Sequence, residues 1–287
     1  MAPVPLVVSA HIAVDTPRNN EVRHDGIHDA FVVLLEINDI VFIFLLCEIS
    51  AEYHGTDGVM SCLPCLDHLS RDDYADVYEP SEDTFLFIDA LDKELTRIAD
   101  AKPTRILEMG PGSGCISVHL LQQLQKRAVQ CLPSCLLIDI NPKAVTAALK
   151  TAACNGVGQH FDGLQGDLFR AIRPRQTFDM MLFNPPYVPS PAEEMCEGGI
   201  AAAWAGGVDG REVIDRFIQQ APDHLADGGC IYLLSERRNK PEEIRQLFKQ
   251  KGFCSEEVLH RRAQNELLNV TRFWRVGWGE SACDVNS

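Results

Sequence analysis

The chain has 287 residues, is 46% hydrophobic and 23% charged, and carries a formal net charge of −15. That length and balance fit one large globular domain, or one domain with an extension, and exclude a fibrous or compositionally disordered chain. The acidity argues against a surface that tracks phosphates, because nucleic-acid affinity leans on Lys and Arg.

Residues 1–59 differ from the rest. They hold two basic residues, Arg18 and Arg23, and nine acidic ones, a net of −7 that leaves −8 to the remainder. The run from Phe31 to Cys47 is strongly apolar but contains Glu36, Asn38 and Asp39. Each central acid costs about 2.5–3.5 kcal/mol in a membrane span, so two short strands, Phe31–Ile37 and Ile40–Leu46, are predicted about Asn38-Asp39 instead. No chemical motif falls here. Residues 1–59 are expected to be an extension of unknown structure, disordered or a mis-assigned start. A compact domain then spans 60–278, with a tail over 279–287.

The 11 cysteines are scattered and odd in number, and Met1 opens no leader pattern. Reduced, mostly buried thiols are expected, as in an intracellular protein, with the cytoplasm as the first compartment and the nucleus as the second. Cys62-Leu63-Pro64-Cys65 has no second ligand pair at metal-site spacing, so no metal is expected.

From Val77 onward, strands and helices alternate. Pro80, Ser81 and the acids after them start a helix through Phe85-Leu86-Phe87-Ile88, with Ser81 as N-cap. Arg105–Met109 reads as a strand, Gly110-Pro111-Gly112-Ser113-Gly114 as the turn after it, and 115–125 as a helix. Leu136–Asp139 is a second strand, and Pro142 opens a helix at its first turn. Residues 162–165, 178–183 and 230–234 are further strands, 210–221 and 241–250 further helices, and 254–260 with 270–276 a closing strand pair. Such alternation predicts an α/β fold: a mostly parallel seven-stranded sheet with helices on both faces.

The chemistry gathers at strand ends. Phe178–Phe183 delivers Asn184-Pro185-Pro186-Tyr187 to the carboxyl end of a strand, where open α/β sheets place their ligands. Two prolines stiffen the turn and remove backbone donors, leaving carbonyls free. Beside the Pro185 carbonyl, the Asn184 amide could hold a planar NH2 group, and Tyr187 adds a flat face. Upstream, Gly110, Gly112 and Gly114 allow a sharp turn and close approach of a ligand. A dinucleotide fingerprint would require Gly at 115, where Cys stands. Glu108, Asp139 and Asp167 sit at or after strands and should share one rim of the sheet. A ligand without phosphates tolerates three carboxylates. S-adenosylmethionine, with its ammonium, sulfonium and ribose diol, fits.

The order Glu-x-Gly-x-Gly-x-Gly, strand-two acid, Asn-Pro-Pro-Tyr resembles that of class I (Rossmann-like) methyltransferases acting on nitrogen. The chain is most similar to the HemK-like glutamine methyltransferases of release factors, in their eukaryotic and archaeal branch. Residues 76–84 (DVYEPSEDT), Asp139-Ile140-Asn141-Pro142, Asn184–Val188 and Ala203-Trp204-Ala205-Gly206-Gly207 carry the resemblance, over roughly residues 70–278. Position 111 is Pro where a small residue is usual. The resemblance implies methyl transfer to the Gln of a Gly-Gly-Gln motif in the class-I translation release factor. It also implies a cofactor site with Thr84, Glu108, Gly110, Asp139, Asp167, Leu168 and Asn184, to which the residue reading adds Gly112 and Gly114. Asn184, Pro185 and Tyr187 would carry catalysis, with Asn184, Pro186 and Tyr187 against the substrate. Finally, it implies a heterodimer with a small zinc-binding activator subunit.

Other readings use the same residues. An adenine-N6 methyltransferase presents the same donors to Asn184, but would need a positive strand path. A lysine methyltransferase acting on a histone tail suits the acidic rim. An inactive binding subunit of a methyltransferase complex would have no use for an intact Asn184 and Tyr187.

Overall fold

The computed structural model describes residues 30–37, 40–47, 63–173, 176–191, 193–194 and 199–275. The expectations for residues 1–29, for Cys62 and for the tail 279–287 lie outside the described residues. The chain separates into two units, Met1–Met60 and Ser61–Ser287. In the first, β1 (Ala30–Ile37) and β2 (Ile40–Cys47) pair antiparallel with Ile37 opposite Ile40, so both predicted strands are present.

In the second unit, apolar runs bounded by turn residues become buried strands. These are β3 (Arg105–Met109), β4 (Ser134–Asp139), β5 (Phe161–Gln165), β6 (Phe178–Phe183), β7 (Leu225–Glu236), β8 (Cys254–Ala263) and β9 (Glu266–Trp274). The seven form one sheet in the order β5-β4-β3-β6-β7-β9-β8. The first five are parallel, while β9 runs antiparallel to both β7 and β8. The expected strand Cys230–Leu234 is longer than predicted. A register shift against β6 lets β7 begin at Leu225, with Gly228 at φ +70 inside the irregular stretch.

Helices α1 (Glu82–Ala101), α2 (Cys115–Lys126), α3 (Pro142–Cys154), α4 (Glu212–His224) and α5 (Pro241–Gln250) connect the strands. Ser81 is the N-cap of α1, and its N–H donates to the Thr84 hydroxyl at 3.4 Å. Asn141 caps α3 by accepting from the Lys143 N–H at 2.9 Å, with Pro142 at the first helical position. Ile106, Leu107, Leu137, Met180, Met181, Ile231 and Tyr232 are fully buried, the mark of parallel strands covered on both faces. Among the described residues no helix is long and apolar enough to cross a membrane, and no cluster of three or more His, Cys, Asp or Glu could hold a metal.

Strand β3 has β4 on one side and β6 on the other, so the connections diverge at its carboxyl end. A crevice opens at such a switch point. Register fixes what meets there, since Met109 lies opposite both Ile138 and Phe183. Gly110, Asp139 and Asn184 each follow one residue later, at one level of the rim.

Candidate active site

Thr84, Gly110, Gly112, Asp139, Asp167, Leu168, Asn184, Pro185 and Pro186 line one cleft of about 200 Å³ at this rim. Gly110 and Gly112 adopt φ of +64 and +53, which an L side chain reaches only with strain. The Gly110 N–H donates to the Ile138 carbonyl at 2.7 Å, pulling the loop down onto the sheet. Gly114 does not line the cleft. A Cβ there would come within 2.8 Å of Ala148, so its role is the packing of the loop on α3.

Asp139 ends β4. Its carboxylate accepts from the Asn141 N–H at 2.9 Å and the Gly112 N–H at 3.4 Å. Burial nevertheless pushes its pKa up to about 6, against those backbone donors. The Asn141 side chain donates to the Asp76 carbonyl at 2.7 Å, holding residues 76–78 as a wall of the cleft.

At the β6 end, Asn184 Nδ2 donates to Asp83 Oδ2 at 2.8 Å, and the Tyr78 hydroxyl donates to Asp83 Oδ1 at 3.1 Å. Asn184 Oδ1 is buried without a partner. A carboxylate only accepts, so the Asp83 charge decides which end of the Asn184 amide is tied and which is left as an acceptor. Asp83 is buried in the first turn of α1 and lines the cleft.

Two further expected positions, Glu108 and Tyr187, need correction. Glu108 does not reach the cleft. It is the penultimate residue of β3, is 2% exposed, and its Oε2 has no partner. Burial pushes its carboxyl up to about 7, with Ser117 pulling the other way and the Asp139 charge adding to the push. Tyr187 offers no open face. It is 8% exposed, and its hydroxyl donates to Glu266 Oε2 at 3.2 Å. Asp167 does line the cleft, but its two oxygens accept from Arg216 Nη2 at 2.7 and 2.6 Å, an ion pair the sequence reading did not foresee. Leu168, next in the chain, holds φ +51, an uncommon conformation for a non-glycine residue. Asp83, Tyr78, Ile140 and Arg216 are lining residues that sequence reasoning missed. Asp83 and Tyr78 fell within the 76–84 motif without an assigned role.

The segment after the turn is held in place. The Val188 N–H donates to the Trp204 carbonyl at 3.0 Å, and the Gly206 N–H to the Val188 carbonyl at 2.8 Å. Ala202, Ala203 and Ala205 thereby form a second wall of the cleft.

Residues 82–199 match the methyltransferase small domain family. The chain is 42% identical to human methyltransferase HEMK2 over 208 residues, 72% of this chain and 93% of that protein. It is 34% identical to a putative protein N5-glutamine methyltransferase of Methanocaldococcus jannaschii, over 71% of this chain and 94% of that one. Among solved structures it is similar to E. cuniculi Mtq2 in its complex with Trm112, which is responsible for methylation of the eRF1 translation termination factor. There the TM-score is 0.51 and the identity 26%, over 70% of this chain and 99% of that chain.

Proposed function

The chain belongs to the HemK-like methyltransferases, in their eukaryotic and archaeal release-factor branch, and we propose that it N5-methylates the Gln side chain in the Gly-Gly-Gln motif of the class-I translation release factor. The observation that carries this reading is Asn184. Its NH2 is tied by Asp83, and its Oδ1 is a buried acceptor without a partner in a residue that lines the cleft. Leaving such an acceptor unpaired costs about 1–3 kcal/mol. A primary amide that donates one N–H to it recovers that cost.

S-adenosylmethionine fits the residues present. Asp139 stands at the strand end where a carboxylate can take a ribose diol. The one basic residue among the described lining residues, Arg216, is engaged by Asp167, so a pyrophosphate finds no free cation. When bound, this cofactor supplies an electrophilic methyl on a sulfonium. The protein's own residues do the rest. An amide nitrogen is a weak nucleophile because its lone pair is delocalised, so orientation matters most. Asn184 Oδ1 accepts one amide hydrogen and the Pro185 carbonyl the other. Both acceptors sit on a turn stiffened by two prolines, and they favour positive charge developing on the nitrogen. No side-chain base is required before transfer.

The acidic lining disfavours nucleic acid, and an inactive binding subunit has no need of a fixed, unpaired Asn184 acceptor. The chain acts with a small partner subunit, a reading supported by the Mtq2–Trm112 structure; that the subunit binds zinc rests on the family resemblance. The test supplies labelled S-adenosylmethionine to the protein plus partner subunit with release factor, a Gln-to-Ala loop variant, or duplex DNA. Label should enter release factor alone. Equal incorporation into DNA, or label persisting in the Gln-to-Ala variant, would overturn the reading.

A further inference from the structure

The turn Asn184–Tyr187 has few means of holding itself in place. Pro185 and Pro186 carry no N–H, so neither can donate to a neighbour. The turn is anchored from outside, at both ends. Asp83 holds the Asn184 side chain at one end. At the other end the Tyr187 carbonyl accepts from Asn239 Nδ2 at 2.8 Å.

Asn239 belongs to the short 3-10 turn after β7 and is fully buried. Nδ2 also donates to the Asp209 carbonyl at 2.9 Å and lies 3.4 Å from the Gly210 carbonyl. Oδ1 accepts from the Glu236 N–H at 2.7 Å, and the main-chain carbonyl of Asn239 accepts from Arg211 Nη1 at 2.9 Å. Only a carboxamide meets this demand, because it must donate twice and accept once from one planar group. The surrounding chain leaves room for it. A Cβ at Gly210 would fall 1.9 Å from the Tyr187 carbonyl oxygen and 2.4 Å from Asn239 Nδ2, and one at Gly206 would fall 2.5 Å from the Pro186 oxygen.

We infer that Asn239 is a positioning residue for methyl transfer: its buried amide fixes the height of the Asn184–Tyr187 turn above the sheet by holding the Tyr187 carbonyl, and touches neither reactant. This rests on the reading of that turn as the seat of the glutamine amide. Asn239 does not line the cleft, so its loss should leave cofactor binding alone while moving the two acceptors that aim the nitrogen.

The experiment compares Asn239→Ser, Asn239→Asp and Asn239→Gln with the parent, each as the full chain with its partner subunit. Three quantities are read: cofactor Kd by calorimetry, kcat and KM with release factor, and amide hydrogen exchange. Asn239→Ser should keep its cofactor Kd and lose roughly 10²-fold in kcat, the scale of a misplacement near 1 Å. Asn239→Asp should lose more, because a carboxylate would face three carbonyl oxygens. Asn239→Gln, which keeps the amide, should recover part of kcat. Exchange should quicken in residues 187–190 and 204–211 and stay unchanged in 105–125. A kcat within about threefold of the parent in both Ser and Asp variants, a cofactor Kd that weakens in step with kcat, or failure of all three variants to fold would each overturn the inference. Should the parent itself methylate no release factor, the functional reading fails, and the exchange pattern still decides whether Asn239 holds the turn.

Discussion

Asp83 and Asn184 come from elements 101 residues apart and meet through a 2.8 Å hydrogen bond that gives the Asn184 amide one orientation. The charge sits on the oxygen side, so the NH2 end must face it, and Oδ1 becomes the end left for a ligand. Asp83→Ala removes this constraint and lets the amide rotate. We expect kcat for release-factor methylation to fall by roughly 10²-fold, with a smaller change in cofactor Kd. Asp83→Asn should be milder, since one rotamer still offers an oxygen to Asn184. Steady-state rates set beside cofactor calorimetry check this; a kcat for Asp83→Ala equal to that of the parent would refute the assigned role.

Much of the fold was legible because local signals agreed. β3, β6 and α5 have the limits their apolar runs and flanking turn residues predict, and Pro142 and Ser81 mark helix starts as expected. The part of the site at strand ends was legible too, because a parallel sheet sends every strand's last residue to one rim. Long-range pairing was not. Asp83, Arg216 and Asn239 reach the site across 101, 49 and 52 residues, and no spacing rule links such positions. Glu108 shows a subtler failure. It precedes the last residue of its strand, and in a sheet covered on both faces that position points into the interior. Asp139 is the last residue of its own strand and emerges. The Tyr187 hydroxyl likewise finds its partner in Glu266 at the start of β9, 79 residues on, which nothing near the Asn-Pro-Pro-Tyr run announces.

Asp139 makes cofactor affinity depend on pH. Its pKa is pushed up to about 6 by burial, and the charged form is the stronger acceptor for a ribose hydroxyl. Affinity should therefore weaken as pH falls through about 6. Asp139→Asn should lose about 1.5–3 kcal/mol of binding at neutral pH, the worth of a hydrogen bond to a charged group. Its pH dependence should also be flatter. Calorimetric titration of both proteins over this range checks the two statements together.

Glu108 should shape stability rather than binding. Its folded-state pKa of about 7 lies above the ordinary 4.5, so the native protein holds a proton that the unfolded chain releases. The resulting stabilisation is complete below pH 4.5 and is lost as pH rises through about 7, a change on the order of 3 kcal/mol. Glu108→Gln carries no such proton, so its denaturant midpoint should change less with pH than the parent's, and above pH 7 it should be the more stable protein. Parallel slopes would mean that Glu108 stays charged in the fold.

Gly112 and Gly114 offer a contrast within one loop. Both hold positive φ, +53 and +81, so alanine at either pays the left-handed strain of about 1–2 kcal/mol. They differ in space. At Gly112 the nearest atom to a new Cβ is Tyr78 Cβ at 3.8 Å, an ordinary contact. At Gly114 the new atom would lie 2.8 Å from the Ala148 Cα and Cβ, so α3 would have to move away from the loop. Overpacking of this kind adds about 1–3 kcal/mol. Gly112→Ala should therefore lower thermal stability modestly and act mainly on cofactor affinity, because residue 112 lines the cleft and its N–H faces Asp139. Gly114→Ala should lower stability by clearly more, although it touches no ligand. Thermal unfolding and cofactor calorimetry on the two variants separate these effects, and equal stability losses at both positions would show that strain, not the packing of the loop on α3, sets the demand for glycine at residue 114.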